Sequence, residues 1–420
     1  MDISSFAVSG GYLGKGVLAL NVDKKRLPLS GIRVLEAGHT IMGPTAGLIL
    51  ADMGAEVIKI ERTPNGDDTR YLQGFGSGFF AYLNRNKKSL CVDLKSHEGR
   101  EIIYRLIPTI DVILENFGPG TVDKLGLSYQ KLSEINPRLI YCSLKGFMPG
   151  PYEKRLALDE VVQIMGGLAS MAGSKGTPLR AGASLADIMG GSYGVIGILT
   201  ALYDRERTGK GQYIIASLFE TVAFLVGQHM AYTAVTGKLA PPMQERVSSW
   251  AIYDLFESKE GKKVFIGVTS DQQWARFCKT LEFYDLFEDT RLSTNNNRID
   301  QRKWLLPELK NRIANFSGAN LIEMLDKAHI PFASVLRPED LFNDAHLNES
   351  GGLVETRLPG GTVTKLPKIP LRIGSHDFGI RNNPPRIGEG SLQLLKSCGF
   401  SDEEIERFRR KGVIAVESLR

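Results

Sequence analysis

The 420-residue chain has no uninterrupted apolar stretch of about 18 residues, the length a membrane-spanning helix needs. Glu220 breaks the best candidate, "IIASLFETVAFLVG". The first 30 residues lack a positive start followed by an apolar run, so no secretory leader is expected. The four cysteines, Cys91, Cys142, Cys278 and Cys398, show no CxxC spacing and read as reduced core residues. The six histidines form no HxH or HxxxH pair, and no acidic cluster resembles a cation cage, so no metal is expected. Charge of one sign is also scarce. The net charge is +5, and the densest basic stretch, "RNKKS" (Arg85 to Ser89), is too short for a nucleic-acid arm. It is expected to attract an anionic small molecule instead. These absences predict a cytoplasmic protein without a nucleic-acid or membrane partner.

What is present has the rhythm of an α/β protein. "GIRVLEA" (31–37), "EVIKIE" (56–61), "SLCVDL" (89–94), "DVILENF" (111–117) and "RLIYCSLKGF" (138–147) read as strands. Helical runs such as "GPTAGLILADMGA" (43–55) and "HEGREIIYRLIP" separate several of them. Strands alternating with helices predict a parallel sheet with right-handed crossovers. Residues 189–206 and 214–234 read as two long helices. "WAIYDLFESKEGKKVFIGV" reads as a hairpin turning at "SKEGKK", with amphipathic helices following at 271–280 and 302–328. A last helical pair is expected over 390–412.

Four signals bear on chemistry. The loop after the first strand, "AGHTIMGP", lacks the GxGxxG glycines that admit a pyrophosphate, so a nicotinamide dinucleotide is not expected. His39 in that loop sits where open α/β sheets bind ligands, although a surface histidine is the plainer reading. The turn "ENFGPG" is expected to offer backbone N–H groups and a helix N-terminus to an anion, or to be an ordinary βα turn. Adjacent Asp159 and Glu160 read as first-turn charges that favour a helix dipole. Asp187 is harder to place: as an N-cap of the helix "IMGGSYGVIGILTAL" its residue type is explained, but not the small, apolar approach "GASLA". It lies in "RAGASLADIMGGSYGVIGILTAL", a small-residue and apolar setting in which a carboxylate loses hydration or shifts its pKa upward.

The blocks "GIRVLEAG…GP", "GAEVIKIER", "NRNKKSLCVDLKS", "DVILENFGPG", "NPRLIYCSLKGF", "GASLADIMGG" and "GILTALYDRERTGKGQ" together resemble the family III coenzyme A transferases, the group of formyl-CoA and carnitine-CoA transferases. The resemblance runs from Leu29 to about Val413. It implies a Rossmann-like large domain with a parallel sheet, a smaller α+β domain, and an interlocked homodimer. The implied layout is an N-terminal extension over 1–28, the first part of the large CoA-binding domain over 29–225, a small domain over 226–340, and a return to the large domain over 341–420. Asp187 occupies the position of the family's nucleophile, and Asp159 matches an active-site acid of some members. CoA contacts carry over onto His39, Arg62, Val92, Asp93, Leu94, Lys95, Asn116, Phe117, Gly118, Lys124 and Lys145. Coenzyme A and acyl-CoA enter as substrates, with no permanently bound cofactor.

The racemase branch of the superfamily pairs this aspartate with a histidine. Here that position is Leu158, which cannot move a proton. A CoA-binding relative without turnover is a further alternative, which an intact Asp187 disfavours. Ile41 stands where formyl-CoA transferase has glutamine, and "PPMQERVSSWAIYDLF" lacks that enzyme's four-glycine run. Formyl-CoA and oxalate are therefore not the expected substrates. The expectation is a short-chain acyl-CoA donor such as succinyl-CoA and a dicarboxylic or hydroxy acid acceptor.

Overall fold

A computed structural model describes residues 26–243, 245 and 249–417. Most of the extension expected over 1–28, and part of the loop "PPMQERVSS", therefore lie outside the described residues. The fold is mixed α/β around a central sheet in which six strands run parallel. These are β1 (Arg33–Ala37), β2 (Glu56–Glu61), β3 (Lys87–Val92), β4 (Val112–Glu115), β5 (Ile140–Lys145) and β6 (Tyr213–Ser217). A second, antiparallel sheet orders β7 (Ile252–Glu257), β8 (Lys263–Val268) and β9 (Phe332–Ser334) around its own apolar core. A two-stranded hairpin follows, β10 (Leu353–Arg357) with β11 (Val363–Pro367). The C-terminal segment then lays β12 (Ile414–Ala415) antiparallel against β3, giving the order β12-β3-β2-β1-β4-β5-β6.

Helices cover both sheet faces, so the strands read as nearly continuous apolar runs. On one face Val34, Val57, Val112, Leu114, Ile140 and Leu144 meet residues of α1 (Met42–Asp52), such as Ala46 and Leu50. On the other, Leu35, Ile58, Leu90, Ile113 and Tyr141 meet Ile102, Ile103 and Leu106 of α2 (His97–Leu106). Ser96 starts α2 by accepting the Gly99 N–H. Four further helices bear on the site: α3 (Thr121–Lys124), α4 (Asp159–Met165), α5 (Leu185–Thr208) and α6 (Leu218–Thr236). Helix α5 is long and apolar enough to cross a membrane by composition, and it packs here on α1, β5 and β6.

Three expectations fail in instructive ways. The helix read over 214–234 begins with β6, because "YIIASLFETVAFLVG" is apolar apart from Ser217, Glu220 and Thr221 and carries no period to separate strand from helix. Ser217, in extended backbone (φ −134°, ψ 152°), marks the change. The stretch 302–328 is two helices, Arg302–Ile313 and Gly318–Lys327, the second capped by Ser317 on the Asn320 N–H. The anionic ligand expected for "RNKKS" would meet only cations that already hold a carboxylate partner. Arg85 is buried on Asp52 at 2.7 Å, Lys87 is buried on Glu36 at 2.7 Å, and Lys88 pairs with Glu56 at 2.6 Å.

Lys87 and Glu36 belong to a buried charge network at β1–β3. Glu36 and Lys59 stand opposite each other across strands, as do Lys59 and Ser89. The Lys59 ammonium reaches Asp67 at 2.8 Å, Glu36 at 3.4 Å and the Gly38 carbonyl at 2.7 Å. Glu61 accepts from Arg70 at 2.6 and 2.7 Å, from Ser89 at 2.6 Å and from the Asp67 N–H at 2.8 Å. Burial pushes the Asp67 carboxyl up, but Lys59 and the Thr69 donors outweigh it and hold it down at about 2. Burial also lowers Lys87 to about 8, against the pull of Glu36.

Candidate active site

The strand order reverses direction between β1 and β4, and at the sheet's carboxyl edge this is where the crevice of an open α/β sheet lies. His39 comes from the first loop, after β1, and Asn116, Phe117 and Gly118 from the second, after β4. The loops are stitched together: the His39 N–H donates to Asn116 Oδ1 at 2.8 Å, and Asn116 Nδ2 donates to the His39 carbonyl at 2.9 Å. A Cβ on Gly43 would lie 2.8 Å from the Gly38 Cα and 3.1 Å from the Asn116 side chain, so only glycine closes this loop. Thr40 sits at φ 64°, a left-handed conformation that is costly for a β-branched residue and is held by its surroundings. Desolvation lowers the His39 imidazole below its ordinary value, chiefly against Asp67, so the ring is neutral at pH 7. It lies 6.0 Å from the Phe117 ring.

The other expected contact residues line this edge unequally. Arg62 follows β2, is exposed and pairs with Asp68. Lys95 follows β3 and Lys124 ends α3, both exposed. Asp93 and Leu94 are half-buried, and the Val92 side chain is in the core, leaving its backbone as the part a ligand could meet. Lys145 is turned inward: its ammonium sits 2.8 Å from Glu115 and donates to the Phe117 carbonyl at 2.9 Å. It supports the second loop rather than facing solvent. The helix after "ENFGPG" is a single turn, too short for the dipole expected of it. Ile41 packs with Leu48 and Leu83 and offers nothing polar.

Asp187 stands in the first turn of α5. The N-cap residue, Ser184, makes no side-chain cap bond; the capping is done by Asp159 from α4. Asp159 Oδ2 accepts from the Ala186 N–H at 2.8 Å and the Asp187 N–H at 3.2 Å. Its Oδ1 accepts from Gln163 Nε2 at 2.5 Å. Gln163 is fully buried, and its own oxygen takes the Ala181 N–H at 2.9 Å. Burial first, and the Asp159 charge second, raise the Asp187 carboxyl to about 7, with Arg180 offsetting part of the rise. A Cβ on Gly191 would lie 2.6 Å from the Met42 carbonyl oxygen, and one on Gly190 2.7 Å from the Met42 Cε. Met42 opens α1 just after the His39 loop. The small residues thus seat the start of α5 against the crevice, with Asp187 one turn before Gly191.

A crevice at the strand-order reversal with an uncommonly basic carboxylate beside it suits nucleophilic chemistry on a bound anion. The sequence model of CoA-transferase family III matches residues 29–391. The chain belongs to CoA-transferase family III. This CoA-transferase is 34% identical over 97% of its length to an acyl-CoA transferase of Fusarium pseudograminearum, 93% of which is covered. It is 32% identical to the succinyl-CoA:glutarate CoA-transferase of Mus musculus, covering 92% of this chain and 90% of that one. Its fold matches a CAIB/BAIF family protein of Brucella suis with TM-score 0.78 and 32% identity, over 89% of this chain and all of that one. It is an enzyme of the CoA-transferase class, a class that uses CoA thioesters as substrates.

Sequence reading passed over two residues of this site. Gln163 lies four positions after Asp159 on α4, the spacing at which helical side chains meet, and that was its available signal. Arg180 reaches Asp159 at 3.4 Å from a loop whose course no local pattern predicts.

Proposed function

We propose that this CoA-transferase moves CoA from a short-chain acyl-CoA, succinyl-CoA foremost, to a dicarboxylic or hydroxy acid, with Asp187 as the nucleophile. The observation that carries this is Asp187 itself: a carboxylate at the start of α5, against the crevice, with its pKa raised to about 7. One Asp187 oxygen attacks the thioester carbonyl, the C–S bond breaks, and CoA leaves as thiolate, giving an acyl-aspartyl anhydride. The thiolate attacks the aspartyl carbonyl, the anhydride C–O bond breaks, and the first acid leaves as carboxylate. The acceptor carboxylate attacks the resulting aspartyl-CoA thioester, and the thiolate then takes the acceptor's acyl group, returning Asp187. No net proton is consumed.

A carboxylate suits the task because an anhydride is at least as activated as the thioester, so the exchange conserves its free energy. Acylation also converts Asp187 to a neutral group and relieves both its desolvation and the repulsion from Asp159. The same raised basicity that penalises the free anion therefore favours the covalent intermediate. His39, Arg62, Lys95, Asn116 and Lys124 are the residues we assign to CoA, the neutral His39 ring suiting an aromatic base better than a phosphate. The interlocked homodimer is supported by large apolar side chains left exposed on α5 and α6, among them Ile196, Phe224, Met230 and Val235.

The test is mass spectrometry after incubation with succinyl-CoA and hydroxylamine. A hydroxamate on the peptide carrying Asp187 is expected; exchange that proceeds without any modification of Asp187 would overturn the reading. Proton transfer of the racemase kind needs a second base, and Leu158, exposed just ahead of α4, supplies none. A 2-methylacyl-CoA in deuterated water should gain no deuterium at its α-carbon.

A further inference from the structure

We propose that Arg180 is the specificity-determining residue of this site, its guanidinium binding the far carboxylate of a dicarboxylic acid whose near carboxylate reacts at Asp187. The proposal rests on Asp187 as nucleophile and names the acid class and the residue that selects it.

The backbone around Arg180 is fixed while its side chain is not. The Leu179 N–H donates to the Ala169 carbonyl and the Ala181 N–H to Gln163 Oε1, both at 2.9 Å. Between these anchors the guanidinium makes long contacts: 3.4 Å to Asp159, 3.6 Å to Glu160 and 3.4 Å to the Gly182 carbonyl. Elsewhere this chain closes arginine forks tightly, as in Arg312, which meets the two oxygens of Asp285 at 2.7 Å each. Nor does Asp159 depend on Arg180. Gln163 and the Ala186 and Asp187 N–H groups already satisfy it at 2.5, 2.8 and 3.2 Å. Glu160 is mostly solvated, its side chain 63% exposed. The planar fork that binds a carboxylate with two parallel bonds is thus still open.

Charge and spacing point the same way. With Asp159, Glu160 and an ionising Asp187 in place, a substrate bringing a second carboxylate is repelled unless a cation receives it. Among the described residues, Arg180 is the cation whose charge reaches Asp187. Asp159 touches Arg180 through Oδ1 and the Asp187 N–H through Oδ2, so the width of one carboxylate group separates the fork from the nucleophile's backbone. A short diacid, with two or three methylenes between its carboxylates, is of the size to bridge two groups held on either side of one carboxylate. A monoacid leaves the guanidinium unpaired.

The experiment measures kcat/KM for glutarate and succinate against butyrate and valerate as acceptors, with acyl-CoA held saturating. The native enzyme is expected to prefer diacids by at least about 100-fold, as sites built to bond a substrate group do. Arg180→Ala should reduce that ratio to within about tenfold of unity, and Arg180→Lys, which keeps charge without the fork, should fall between. Added guanidinium ion should raise the glutarate rate of Arg180→Ala and not the butyrate rate. No native preference for diacids, or an equal fall for both acid types in the variants, overturns the proposal. Should Arg180→Ala fail to fold, Arg180→Lys and Arg180→Gln carry the same ratio. Hydroxylamine trapping with glutaryl-CoA keeps the two readings apart. If Asp187 is never acylated, the nucleophile assignment falls. Calorimetric binding of glutarate against butyrate to the CoA-loaded native and Arg180→Lys proteins then decides Arg180 alone.

Discussion

Two clusters of charge occupy the carboxyl edge of one sheet, and they are built in opposite ways. Under β1–β3, Lys59 is fully enclosed by Asp67, Glu36 and the Gly38 carbonyl, and Glu61 is filled by Arg70, Ser89 and the Asp67 N–H. At the start of α5, Asp187 is held by its backbone while, among the described residues, no cation pairs closely with its carboxylate and Arg180 makes no polar contact under 3.4 Å. The closed cluster pins the loop after β1, because Lys59 donates to Gly38. The open cluster keeps capacity for a substrate. Satisfied charges fix geometry; unsatisfied ones are left to react.

Removing the open cluster's carboxylate should give the largest effect. Asp187→Ala should lose at least about three orders of magnitude in exchange rate while still binding CoA, measured by steady-state kinetics and calorimetry. A correctly folded variant with near-normal turnover would show that the contrast has been assigned the wrong way round. Breaking the closed cluster should instead cost stability. Lys59→Met leaves Asp67 buried without its ammonium partner and Glu36 with Lys87 alone, and should lower unfolding free energy in urea by about 3–5 kcal/mol. Loss of activity in proportion to unfolded protein is expected, with kcat of the folded fraction retained.

Between the clusters, Gly191→Ala would force a Cβ to 2.6 Å from the Met42 carbonyl. Overpacking of this kind should cost about 1–3 kcal/mol and, by shifting α5, lower kcat as well. A pH series separates the clusters more finely. The folded-state pKa of Asp187, about 7, lies above its ordinary 3.8, so folding is disfavoured progressively as pH rises from about 4 to about 7. Asp187→Asn should therefore match the native protein below pH 4. Above pH 7 it should exceed it by up to about 2 kcal/mol, a figure reduced for the water that reaches this carboxyl. Asp67 has the opposite sign, its stabilisation being lost only as pH falls from about 4 to about 2. Smallest are the rim cations. Arg62→Ala with Lys124→Ala should raise the KM for acyl-CoA several-fold and make it more salt-sensitive, each exposed pair contributing about 1 kcal/mol. A fall in kcat at unchanged KM would move these residues into the reacting centre.

Much of this was legible in the sequence, for reasons particular to each element. β1–β5 stand out because short β-branched runs alternate with helical stretches, and Asp187 stands out because glycine and alanine surround a lone acid. The glycines proved to answer to α1 and Leu144, against which a side chain at 190, 191 or 194 would collide. β6 was hidden in an apolar run without a period. The basic stretch "RNKKS" misled because charge in a sequence carries no sign of its partner: Asp52 lies 33 residues from Arg85, and Glu36 lies far from Lys87 on another strand. Arg180 and Gln163 depend likewise on a loop folding back onto α4, which only tertiary structure reveals.

The bare contact of Gly190 and Gly191 with Met42 has a mechanical meaning. At Gly191 the Met42 carbonyl, and at Gly190 the end of the Met42 side chain, leave no room for a side chain on α5, so the crevice and the nucleophile form the two jaws of a caliper whose opening is set at Gly191 by backbone against backbone. Side chains relax through their rotamers, but Gly191 has none to turn and the carbonyl it faces is fixed in the backbone of α1. A ligand anchored in the crevice must present its reactive bond at that one distance, and a longer or shorter arm would have to slide α5 along α1 to be read.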